Sequence, residues 1–125
     1  MRWSDEGFVL SVRRHGEASV IVSLMTESHG RHVGFVRGGA SRRQRGTLQP
    51  GNLVAVNWHA RLEENLGSYN IEPIHAFVAG LLSKPGPLAG LISVCALIEV
   101  SLPERESHPE LFHSLSELLV KLDSP

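Results

Sequence analysis

Residues 31–51 read RHVGFVRGGASRRQRGTLQPG. This stretch decides the architecture, because it is the one long, irregular connection in an otherwise tightly turned run of strands. Arg31 to Arg37 carries the alternation of a strand. The segment after it holds Gly38, Gly39 and Gly46, and Arg37, Arg42, Arg43 and Arg45 fall within nine residues with no acidic side chain among them. Pro50-Gly51 is a turn pair that launches the next strand. The sequence predicts a flexible, arginine-dense loop between two strands of a small β domain, a surface suited to gathering phosphates.

Working outward toward the N-terminus, Asp5 to Arg14 alternates Phe8, Leu10 and Val12 with Val9, Ser11 and Arg13, and His15-Gly16 turns the chain. Glu17 to Thr26 follows with two apolar faces, which predicts a central or strongly curved strand, and Ser28-His29-Gly30 turns it again. Connections this short make the first three strands an antiparallel meander, since parallel pairing needs a crossover of about a dozen residues. On the other side, Asn52 to Arg61 alternates Val54, Val56, Trp58 and Ala60 with Ala55, Asn57, His59 and Arg61. Ser68 to Glu72 makes a fifth strand that Pro73 is expected to end. Three strands, a long connection and two strands is the chain order of a five-stranded OB-fold barrel. An SH3-like barrel also has five short strands, and the length of the third connection is what favours OB.

From His75 the period becomes helical. Pro87 to Leu102 is apolar on nearly every side, which predicts a helix buried all round and stopped by Pro103. Ser107-His108-Pro109-Glu110 has capping-box spacing, with Leu111, Phe112, Leu115, Leu118, Leu119 and Leu122 following at helical intervals. Residues 1–76 are thus read as an OB-fold nucleic-acid-binding domain. Residues 77–125 read as the first helices of an incomplete α-helical domain.

The net charge of −1 hides a strong polarity. Residues 1–61 hold nine Lys/Arg against four Asp/Glu, whereas residues 62–125 hold three against nine, so the two parts are expected to meet different partners. The one cysteine, Cys95, lies in an apolar segment as a small core side chain and fits a reducing compartment. No leader or membrane span is expected.

Arginine's planar fork suits phosphate oxygens, and glycines let backbone approach a ligand closely. Arg13, Arg14, Arg31, Arg37, Arg42, Arg43 and Arg45 are accordingly the candidate DNA-binding residues, as phosphate contacts rather than base readers. A charge run can also be no more than a solvated face. Among the seven aromatics, Trp58 and Phe35 alternate with apolar neighbours and read as core, leaving Tyr69 and Trp3 as the plausible exposed stackers. Binding should then rest on charge and depend steeply on salt. His29 and His32, with His108 and His113, lack the cysteine or carboxylate partners of a metal site, so no metal or cofactor is expected. No nucleophile elbow, Walker loop or HExxH is present, and no catalytic residue is assigned.

Taken together, DEGFVLSVRRHGEASVIVSLMTESHGRHVGFVRGGASRR, LQPGNLVAVNWHAR with LGSYNIEP, and LPERESHPELF resemble the N-terminal part of the RecO family of bacterial DNA repair proteins, in its alphaproteobacterial branch. The resemblance implies a non-enzymatic recombination mediator: an OB fold followed by a helical domain, binding single- and double-stranded DNA, promoting annealing, and working with RecR and single-strand-binding protein to load RecA. It also implies a cytoplasmic, nucleoid-associated protein. Family members run well past this length, some with a zinc-binding cysteine cluster, so the chain is read as an N-terminal fragment. The alternative from another class is an OB-fold interaction module that docks RecR or another repair partner, with little DNA binding of its own.

Overall fold

The computed structural model describes residues 1–124. Five strands, β1 (Arg2–His15), β2 (Ser19–Thr26), β3 (Arg31–Val36), β4 (Leu53–His59) and β5 (Ser68–His75), close into a barrel in the order β1-β2-β3-β5-β4. This is the five-stranded OB arrangement. The 14-residue β1 makes closure possible, pairing with β4 through its first half and with β2 through its second. A register shift between Val9 and Ser11 marks the change of partner, as expected where a bulge bends one strand around a barrel corner. The last seam is a single parallel pair, Phe35 with Ser68.

The barrel has a core on each side of its wall. Inside lie Val9, Val20, Val22, Leu24, Val36, Val54, Val56, Trp58, Tyr69 and Ile71, plugged at one end by Leu48. Outside, Phe8, Leu10 and Met25 form a second apolar patch, covered by Phe77, Leu81, Leu91, Cys95, Ile98, Phe112, Leu115 and Leu119. In β2, Val20, Val22 and Leu24 face the interior and Met25 faces the helices, while Ile21 stays partly exposed on the outer wall. Four helices complete the described residues: α1 (Arg42–Thr47), α2 (Phe77–Leu81), α3 (Pro85–Ser101) and α4 (Pro109–Asp123).

Several expectations change. The arginine-rich stretch is not a loop throughout, because Arg42–Thr47 forms a short helix whose first turn is capped by the Ser41 hydroxyl accepting from the Gln44 amide at 3.3 Å. Pro73 does not end β5. It pairs opposite Val54 beside the register shift at Leu53/Val54, and among the described residues β5 beyond Ser68 pairs with β4 alone; a proline at a bulge with one open edge removes no needed donor. The capping box at Ser107 is absent, with His108 at the N-cap making no side-chain bond and Pro109 starting α4. Finally, α3 is covered on one face only, by way of Leu91, Cys95 and Ile98, while Ile92, Leu97 and Val100 are exposed, Val100 by 81%.

Polar joints fix the helices to the barrel. Glu99 of α3 accepts from Ser23 Oγ at 2.5 Å and Ser11 Oγ at 3.2 Å and lies 3.7 Å from Arg31. His75 meets Asp123 at 2.9 Å, and His113 meets Glu27 at 2.7 Å. Arg105, at a left-handed φ of 64°, donates its backbone N–H to the Arg31 carbonyl and its guanidinium to the carbonyls of Glu63 and Asn65. One residue thereby laces the α3–α4 link to both β3 and the β4–β5 turn.

Candidate nucleic-acid interface

The arginine-rich face is assembled around the end of the barrel that α1 covers. Leu48, just past the last turn of α1, is 3% exposed and fills the barrel interior, so α1 is held by an apolar anchor while its arginines face water. The connection into it is stitched to the β1–β2 hairpin: Gly38, at φ 74°, turns the chain, and the Ala40 N–H donates to the Ala18 carbonyl at 3.1 Å. At the far end of α1, buried Asn52 donates through Nδ2 to the Gly46 and Thr47 carbonyls at 3.1 and 3.2 Å. Its Oδ1 accepts from the Val78 N–H at 3.1 Å. One side chain therefore closes α1 and opens α2.

Arg14 and Arg45 line one cavity of about 310 Å³ together with Val12, Val20, Leu48 and Pro50. No carboxylate lines it. Arg14 is oriented by donating to the Glu17 carbonyl at 2.8 Å, and Gln49 is held over α1 by its bond to the Arg45 carbonyl at 2.7 Å. Arg37, Arg42 and Arg43 are exposed on the adjoining turn and helix. No acidic residue lies in the first turn of α1, and Arg42 and Arg45 sit three apart, where like charges on a helix repel by about 0.2–0.5 kcal/mol. A polyanion laid across α1 would relieve that repulsion.

The other two candidates go elsewhere. Arg13 alternates with Arg14 along β1 and opens on the opposite side, into a cavity of about 340 Å³ that also contains Arg31, Glu99 and Glu104. Arg31 is mostly buried there, with its Nε donating to the Leu102 carbonyl at 2.7 Å and Glu99 beside it. Its charge serves the joint between barrel and helices rather than the α1 face.

The aromatic expectations also shift. Trp58 is core as expected, its indole N–H donating to the Leu66 carbonyl at 3.0 Å. Tyr69, expected as an exposed stacker, is 3% exposed, and its hydroxyl lies 2.5 Å from His32 Nδ1. Burial holds the His32 imidazole down at about 4, with help from the Arg105 charge, and pushes the Tyr69 phenol well above its ordinary value. The hydroxyl therefore donates to a neutral imidazole. Trp3 is half-buried, with its ring stacked on His29 at 3.8 Å and His29 paired to Asp5 at 2.7 Å. Phe35, read as core, is instead half-exposed on the outer wall. His29 and His32 thus have separate partners. Cys95 is buried under Val9, and burial pushes its thiol up to about 11, so it packs as an apolar side chain.

A second pair of arginines, absent from the sequence reading, lines a cavity of about 380 Å³: Arg2 and Arg61, with His59, Asn65 and Ser68. Part of its signal was present at the end of β4, where His59 closes the strand and Arg61 follows two residues on.

Comparison with known proteins bears directly on this fold. Residues 1–77 match the family model described as Recombination protein O N terminal, and residues 83–125 match Recombination protein O C terminal. The chain is 50% identical over 125 residues to the DNA repair protein RecO of Cereibacter sphaeroides (strain ATCC 17029 / ATH 2.4.9), covering 100% of this chain and 52% of that protein. It is 49% identical over 124 residues to the DNA repair protein RecO of Ruegeria sp. (strain TM1040), covering 99% of this chain and 52% of that protein. The corresponding protein of Methylobacterium nodulans is 49% identical over 125 residues, covering 100% of this chain and 50% of its own. The chain spans about half the length of the curated relatives it matches. An OB barrel with helices on its outer wall, matched from end to end in this way, belongs to the RecO family of DNA repair proteins.

Proposed function

We propose that the α1 end of the barrel is a phosphate-holding surface through which this chain binds single- and double-stranded DNA without turnover. Binding there would bring strands together for annealing and, with RecR and single-strand-binding protein, assist RecA loading. The observation that carries the reading is the convergence of Arg14 and Arg45 on one cavity without carboxylates, with Arg37, Arg42 and Arg43 exposed beside it. The groups with displaced proton affinities, His32, Tyr69 and Cys95, are packed in the two cores away from this face, which supports a role in holding rather than in chemistry. On this reading residues 1–76 are the DNA-binding unit and 77–125 the opening helices of a longer domain, in a cytoplasmic protein working at the nucleoid. No helix among the described residues is long and apolar enough to cross a membrane.

The test is binding of single strands against salt. Arginine-phosphate contacts give a log–log slope of about −0.7 per neutralised phosphate, so reversing Arg42, Arg43 and Arg45 to Glu should flatten the slope by about 2 and weaken binding sharply, with the melting curve unchanged. An unaltered affinity and slope would move the site elsewhere. One observation favours the alternative of a module that docks RecR or another repair partner: the exposed apolar row Ile92, Leu97 and Val100 on α3. Strong partner capture beside negligible DNA binding would support that reading.

A further inference from the structure

The end of the barrel opposite α1 holds a cavity of about 300 Å³ lined by Trp3, His29, His32, Trp58, Glu63 and Arg105. α1 follows the end of β3 and leads into the start of β4, whereas these residues come from the starts of β1 and β3, the end of β4, the β2–β3 and β4–β5 turns and the α3–α4 link. Both tryptophans of the chain are in this wall. Their rings lie 5.5 Å apart at 29°, His29 stacks on Trp3 at 3.8 Å, and His32 stands edge-on to both at 4.8 and 5.1 Å. The lining is flat and apolar on one side, a surface that suits an aromatic ring.

On the other side stand donors in want of an acceptor. His32 is 2% exposed. Burial and the Arg105 charge hold its imidazole down at about 4, so near neutral pH Nδ1 accepts from the Tyr69 hydroxyl at 2.5 Å and the proton sits on Nε2. That N–H has no protein acceptor among the described residues. It is not sealed in the packing either, because His108 Nε2 is the one enclosed side-chain nitrogen or oxygen among them that lacks a partner. It therefore opens on the cavity that His32 lines. A buried donor left unmet is costly, and an acceptor in the cavity recovers that cost. Arg105 adds a fixed positive charge, its guanidinium seated 5.5 Å over the Trp58 ring and tied to the carbonyls of Glu63 and Asn65. Aromatic walls otherwise favour cations, and Arg105, by taking that face, excludes a cationic guest.

We infer that this cavity binds a free small aromatic carboxylate, its ring against the tryptophans and its carboxylate between the His32 N–H and the Arg105 guanidinium. The volume lies at the small end for ligand pockets and fits a molecule of one ring system. The site is independent of the DNA-binding reading, at the other end of the barrel from α1. Its walls come from two layers, since Arg105 belongs to the α3–α4 link and the remaining residues to the barrel and its turns. A guest therefore ties the helices to the barrel, beside the bonds that Arg105 already makes, and stabilises the fold as it fills. Two carboxylates lie near. Asp5 is paired with His29 at 2.7 Å, and Glu63, exposed on the β4–β5 turn, opposes an anion only through solvent that screens it.

The probe is sodium benzoate, followed by tryptophan fluorescence, for which both reporters stand in the cavity wall. Acetate supplies the charge without the ring, and benzylammonium the ring with the opposite charge. Benzoate should give a saturable change with half-saturation at about 1 mM, as ligand efficiency allows for so small a molecule. At about ten times that concentration it should raise the melting temperature by about 5 °C. Acetate and benzylammonium should do neither. His32→Phe should weaken benzoate about 10- to 100-fold, the loss of a bond to a charged group. The exposed change Glu63→Gln should tighten it by about twofold, which reads out the site even if the His32 variant fails to fold. Benzoate binding unaltered in both variants, or equal binding of all the probes, overturns the site. An oligothymidylate should leave benzoate binding unchanged, and competition between the two would give the cavity to DNA and overturn the inference. No saturable change with benzoate overturns it outright and leaves the α1 reading standing.

Discussion

Asn52→Ala is the substitution for which the structure gives the sharpest energetic expectation. The side chain is 2% exposed and makes three bonds, donating to the carbonyls of Gly46 and Thr47 and accepting from the Val78 N–H. A neutral hydrogen bond contributes about 1 kcal/mol net, and a buried group stripped of its partner costs about 1–3 kcal/mol. Alanine removes all three at a site closed to water, so a loss of about 3 kcal/mol is expected. That is a large part of the 5–15 kcal/mol that holds a typical domain together, and at this chain length it lowers the melting temperature by about 10 °C. Calorimetry with a urea titration measures both quantities. Asn52→Asp is the internal control: it keeps the acceptor for Val78 but sets carboxylate oxygen against two carbonyls, and should cost at least as much as alanine at neutral pH. An alanine variant within 1 kcal/mol of the unmodified chain, or an aspartate variant equal to it, would refute the account of how α1 is anchored.

Two further stability outcomes follow from the cores. A Cβ at Gly34 would lie 2.6 Å from the Tyr69 ring, which is itself enclosed, so Gly34→Ala should cost about 1–3 kcal/mol in denaturant melts through overpacking; an unchanged midpoint would mean the ring has room to move. His32 is held neutral in the fold down to about 4, against 6.5 when free, so below pH 6.5 the unfolded chain binds the extra proton and stability falls as pH drops toward 4, by about 2 kcal/mol at pH 5. His32→Gln should remove that share of the acid sensitivity, and an identical pH profile in the variant would contradict it.

The alternation in β2 through β4 was legible because those strands have an apolar core on at least one side, and the sequence period reports burial; in β1 the bulge between Val9 and Ser11 breaks it, so that Val12 packs with Val9 on the inner core and not with Phe8 and Leu10 as the sequence alternation predicts. Where burial and local chemistry parted, reading failed. Arg42–Thr47 has no apolar periodicity, since the one residue that seats α1 is Leu48 just beyond it, so a helix looked like a loop. Tyr69 shares a face with Ile71 on β5, and that parity marks it as inward; the shortness of the expected strand hid it. Arg2 is far in sequence from His59 and Arg61 and meets them only through the β1–β4 pairing, which no local signal encodes. The α3 pattern reported apolar surface correctly, but among the described residues only one face of the helix is covered.

The wall with a core on each side also has a consequence for synthesis. The inner core is complete once Ile71 has emerged, but the outer patch of Phe8, Leu10 and Met25 waits for Leu119. At about 5–20 residues per second, the ribosome leaves a closed barrel with a bare apolar flank for several seconds. During that interval the nascent chain resembles a finished domain in every respect except the one that keeps it from sticking to its neighbours.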